Sequence, residues 1–203
     1  MTTKAPAPAS PATGLPGRRF VIAHAAAPVL LGAYGLVRLL PGSREPGTGW
    51  TVGHLCLLGG LLAFGLVFRD LYRALADRGR ATALLCYGAA LTGVVAGAGQ
   101  ALIDLYGGFV NDTQAEQDRF FADVQSHPGV LPVFYQVLPV LFHLGLLTMV
   151  AILAFRRRLP FWSPLAVLAG LVVAAASLDL MTLGAALYAL ALLPLHRPAR
   201  HRA

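Results

Sequence analysis

The sequence predicts an all-α membrane protein, a polytopic bundle of six transmembrane helices with short loops and one longer outer loop carrying a short interfacial helix. Three observations lead there. Of the 203 residues 57% are hydrophobic and only 12% charged, with a mean hydropathy of +0.66; a soluble domain carries roughly 25% charged residues. A chain of this size cannot hide so much apolar surface inside itself. The apolar residues fall into blocks of spanning length, and arginines cluster between the blocks.

Residues 1–17, rich in Pro, Ala, Ser and Thr, read as a disordered cytoplasmic tail. Residues 18–203 read as a single transmembrane domain. Arg18 and Arg19 precede the first span, about 20–40, which runs too far past Ala25–Ala27 for a cleaved signal peptide. The turn-rich segment 41–49 leads to a second span, 50–68. Residues 69–80, with four arginines and two aspartates, form an inner loop before the third span, 81–106. The long loop 107–129 is acidic on balance. Within it Thr113 and Glu116 have capping-box spacing, Phe120, Phe121 and Val124 form an apolar face, and Pro128 is a stop. The fourth span, 130–155, ends at Arg156–Arg158.

The last apolar block, Leu159–Leu195, is 37 residues long, too much for one helix across about 30 Å of hydrocarbon and enough for two short ones. Ser177, Asp179 and Thr182 at its middle suit a tight hairpin, giving spans at 160–177 and 180–195. One long tilted helix, for five spans in all, is the alternative. Charge decides between them. With six spans the tail, the second loop, the Arg156–Arg158 cluster and the C-terminal Arg197, Arg200 and Arg202 all fall on one side, as the positive-inside bias requires. Both termini are therefore expected in the cytoplasm, and the Arg-, Ala-, Gly- and Leu-rich composition points to a bacterial inner membrane. Trp50 and Trp162 fall at interfaces.

Net charge is +7, but the arginines sit as topology determinants and not as a nucleic-acid surface. Cys56 and Cys86 lie inside apolar blocks without metal-ligand spacing. No H-E-x-x-H, G-x-S-x-G or paired carboxylates occur, so no catalytic residue, metal site or cofactor is assigned.

Polar residues inside spans are the remaining signal, because they face protein or a water-filled cavity. Gly93, Gly97, Gln100 and Asp104 fall on one stripe of the third span, with Gly93 and Gly97 as a GxxxG. Gln136, Pro139 and His143 share a face of the fourth, where Pro139 leaves the Tyr135 carbonyl without its helical donor. His54 aligns with Leu61 and Gly65. By depth, His54, Gln100, Asp104 and Gln136 converge toward the outer surface as a ligand pocket, with His143 deeper. His24 and His143 are the least mismatched pair for axial ligation of a b-type haem, offset by roughly 10 Å. Three functions follow in order: an accessory or structural membrane protein without identifiable chemistry; small-molecule or ion transport or binding in that pocket; and a haem protein. The expected partner is the lipid bilayer. The acidic segment 112–123 is the surface for a membrane-protein partner or a second copy.

Overall fold

The computed structural model describes residues 18–196. The tail 1–17 and the C-terminal Arg197, Arg200 and Arg202 lie outside the described residues. Within them the chain is helical, with no strand: α1 (Arg18–Arg38), α2 (Thr48–Ala76), α3 (Arg80–Val110), α4 (Gln114–Ser126), a π-helical stretch (Val130–Val137) running directly into α5 (Leu138–Phe155), α6 (Trp162–Ala176) and α7 (Met181–Leu192).

Four stretches are long and apolar enough to cross a membrane: Thr48–Ala76, Arg80–Val110, Val130–Phe155 and Leu178–Leu195. This is the composition of a helical membrane protein, but four such helices replace the six expected. Trp162–Ala176 is apolar yet only 15 residues long, about 22 Å of helix against about 30 Å of hydrocarbon. α1 is not among the four. The surface supports the membrane reading, since Leu85, Val95, Leu62 and Val172 on three different helices all stand more than half exposed, as lipid-facing side chains do.

α2 extends two turns beyond the span expected to end at residue 68. Val67, Phe68, Leu71 and Leu75 recur at helical spacing and are all buried, so the segment expected as a charged loop continues as an amphipathic helix. Its free carbonyls are then capped from α5. Arg156 donates to the Leu75 carbonyl at 2.9 Å, and Arg158 donates to the Ala74 carbonyl and to Asp77. That hydrogen bond from Arg158 holds the exposed Asp77 carboxyl below its usual range. We call this the arginine end.

At the opposite end the last apolar block breaks into two helices, α6 and α7. The Ser177 hydroxyl accepts from the Asp179 amide, and Asp179 is held by Arg38 at 3.3 Å and Arg44 at 2.7 Å. Here too lies α4. Its capping box is formed in both directions, from Glu116 N–H to Thr113 Oγ1 and from Thr113 N–H to Glu116.

The helices close a ring in which each packs on the next: α1 on α2, α2 on α3, α3 on α5, α5 on α6, α6 on α7, and α7 back on α1. α4 stays outside it, its Phe120 and Phe121 lying over Gly107. The closest seam joins α3 and α5. A Cβ on Gly93 would sit 2.1 Å from the Phe142 backbone nitrogen, and one on Gly145 would sit 2.5 Å from the Ala90 Cβ. Gly97 of the GxxxG faces Leu61 of α2 instead, so the motif serves two neighbours.

Candidate functional site

On the ring axis, toward the α4 end, is a cavity of about 230 Å³ lined from α1, α2, α3, α5, α7 and the turn before α7. Gly93, Gly97, Gln100 and Asp104 form one wall, so the stripe inferred from spacing lines the cavity for about 16 Å of α3. Leu31, Leu57 and Leu61 make much of the remainder. Below it the Phe142 ring stands edge-on to Phe64 at 5.0 Å and to Phe68 at 5.2 Å, and Phe64 meets Tyr188 at 6.2 Å. These buried rings plug the axis toward the arginine end.

His54 is not in the lining but lies directly behind it. Its Nε2 is 3.5 Å from Asp104 Oδ2, and its Nδ1–H donates to the Trp50 carbonyl at 2.8 Å. A carbonyl only accepts, so this contact assigns a proton to Nδ1. The Trp50 indole N–H donates to the Asp104 carbonyl at 2.7 Å, and its ring lies tilted against His54 at 4.1 Å and stacks on Phe121 of α4 at 5.9 Å. Trp50, expected as an interfacial anchor, thus ties α2 to α3 and α4. Tyr34 of α1 packs edge-on against His54 at 5.5 Å, with the Arg38 guanidinium 5.9 Å from the centre of the Tyr34 ring.

His143 lies at the deep end, its Nδ1 2.9 Å from the Tyr188 hydroxyl. The histidines are therefore spread along the bundle, His54 with Asp104 near one end and His143 with Tyr188 further in. His24 is buried but lies off the cavity.

Gln136 does not join the others. It is exposed and absent from the lining. The face shared by Gln136, Pro139 and His143 assumed α-helical spacing, whereas residues 130–137 form a π-helix begun by Gly129 at φ 82°. The wider turn rotates Gln136 out of register with His143. It also moves the orphaned carbonyl. Leu138 N–H bonds to the Val133 carbonyl in the π pattern, so the carbonyl that meets Pro139 is that of Phe134, not Tyr135. The Gln100 side-chain amide donates to that Phe134 carbonyl at 2.5 Å. One of its two N–H donors is engaged by this contact, and its oxygen remains an acceptor at the cavity wall.

Sequence reasoning missed Trp50, Tyr34 and Tyr188. Trp50 was within reach, since it precedes His54 by four residues and must share its face. Nothing in the sequence pairs Tyr188 with His143. Comparison with protein-family models, curated proteins and solved structures finds no match to this chain.

Proposed function

We propose that this is a polytopic membrane protein of six crossings whose axial cavity binds a small polar molecule or ion, for uptake, export or sensing across a bacterial inner membrane. One observation carries the ligand reading: an otherwise aliphatic and aromatic bundle keeps Asp104, Gln100 and His143 on the wall of one cavity. A bundle that needed only to pack would fill this space with leucine, because buried ionisable groups cost free energy that apolar side chains do not. At about 230 Å³ the cavity is smaller than the roughly 300–1,000 Å³ of drug-sized sites, so the ligand is a small one.

The six-crossing reading rests on the ring itself. α1 and α6 fill places equivalent to those of the four long helices. Arg69, Arg73, Arg78 and Arg156–Arg158 gather at one end, and Asp112, Glu116, Asp118 and Asp123 belong to the other. α6 is short, and a bilayer thins or the helix ends snorkel to accommodate such a mismatch at modest cost.

Native mass spectrometry of protein extracted in mild detergent tests the cavity. A defined small-molecule adduct is expected on the wild type. It is expected to be lost in Leu57→Phe, which pushes a ring into the space while leaving every polar group in place. An adduct-free wild type returns the protein to the accessory role, with the polar groups as interhelical ties.

A further inference from the structure

The geometry points to a cation/proton exchange site: we propose that the cavity takes a small organic ammonium against Asp104 and that each cation bound releases the proton held between Asp104 and His54. The proposal rests on the binding reading above and specifies its ligand.

The tautomer of His54 comes first. Its Nδ1 must keep a proton to donate to the Trp50 carbonyl. In a neutral imidazole the Nε2 then carries only a lone pair, and it faces the Asp104 carboxylate at 3.5 Å. Two acceptors that close, in a buried setting, repel. The contact is attractive only if one further proton sits between them, on Nε2 or on Oδ2. The resting pair therefore holds one proton and is neutral as a unit. The Trp50 indole braces both partners by donating to the Asp104 carbonyl.

The ligand's charge follows. Asp104 is the acid in the lining, and no arginine or lysine is among the lining residues. A cation entering beside Asp104 takes over the neutralisation of its carboxylate. The shared proton leaves to water, and His54 stays neutral with its Nδ1–H on Trp50. One positive charge replaces another, so the buried charge balance is unchanged.

The ligand's chemistry follows from the remaining walls. Ca²⁺ and Mg²⁺ call for six or more oxygen ligands, but beside Asp104 the cavity offers the Gln100 amide oxygen, two tyrosine hydroxyls, the His143 imidazole and hydrocarbon. An alkylammonium suits this setting. Its N–H groups need one carboxylate and an amide oxygen, its carbon chain lies on Leu57 and Leu61, and aromatic faces attract its charge. Other ionisable groups around the pair are Tyr34 and Arg38 of α1 and Tyr135 of the π-helical stretch, with His143 of α5 and Tyr188 of α7 further along the same cavity. Arg38 is itself engaged by Asp179.

The test uses the full chain in lipid nanodiscs and isothermal titration with n-propylammonium, 1-propanol and propionate. Each titration is repeated in two buffers of different ionisation enthalpy, so that protons are counted directly. Expected is binding of propylammonium in preference to both others, with about one proton released per cation near neutral pH and affinity rising with pH. Asp104→Asn is expected to lower propylammonium affinity at least roughly tenfold and to abolish the proton release. Cation binding without proton release would overturn the exchange. Preference for propanol or propionate would overturn the cationic class while leaving the cavity as a binding site. No binding by any of the three overturns this proposal, and the adduct test on the wild type then decides the binding reading by itself. The proton count is made on the wild type, so the proposal stands or falls even if Asp104→Asn fails to fold.

Discussion

At the scale of single residues, glycine and histidine do opposite things in this bundle. Gly93 matters for what it lacks: its missing Cβ is the space occupied by the Phe142 backbone. Gly93→Ala must push α5 off α3 along its length, and overpacking of this kind costs about 1–3 kcal/mol or more. Gly88, on the same helix, has nothing within 4 Å of a built Cβ. Gly88→Ala is accordingly expected to be neutral or slightly stabilising by helix propensity. Thermal unfolding of both variants in one detergent checks the pair; equal midpoints would mean that the α3–α5 seam is not the close contact described. His54 matters for its two nitrogens, each engaged differently. Its position, and those of Gln100 and Asp104, were legible from spacing within one helix, which fixes which residues share a face. Its partners were not. Tyr34 and Asp104 reach it from other helices, and no period in the chain relates them.

At the scale of elements, the π-helical stretch is the feature that sequence periodicity reads worst. A pattern of α-helical spacing aligns Gln136 with His143, and one wide turn is enough to undo it. Pro139 was a usable sign that a carbonyl would be orphaned, but which carbonyl depends on the turn type. The structure couples Gln100 to that choice. Gln100→Leu leaves the half-buried Phe134 carbonyl without this donor and is expected to cost about 1 kcal/mol. Pro139→Ala restores a backbone N–H in register with the same carbonyl. In that background the Gln100→Leu penalty is expected to shrink substantially, as a double-mutant cycle on unfolding free energy measures. Equal penalties in both backgrounds would show that Gln100 serves something other than the proline gap. Other elements were more legible. The capping box of α4 follows from Thr113 and Glu116 alone because it is local chemistry. The run-on of α2 to Ala76 was hidden by its charges, although Leu71 and Leu75 kept the helical period across them.

At the scale of the whole molecule, hydrophobic blocks gave the helical class and most helix positions directly, since a bilayer imposes its length on the sequence. The number of crossings is a harder question, because α6 is shorter than a bilayer and α1 is not among the helices that pass for spans. The six-crossing proposal makes a definite statement: a reporter fused after His196 is expected to be active in the cytoplasm, as is one placed between Arg156 and Leu159. An external signal at the first site with an internal one at the second would leave five crossings. The closure of the ring bears on how the molecule is made. α1 is made before the other helices described and packs on α2 through one flank, but its other flank is covered by α7 and the turn before it, where Thr182 donates a hydrogen bond to the Gly32 carbonyl of α1 and Asp179 pairs with Arg38. During synthesis that flank, and the cavity wall formed by Leu31 and Tyr34, wait open for nearly the entire length of the chain. A chain interrupted before α7 is expected to leave the cavity as a cleft open along one side.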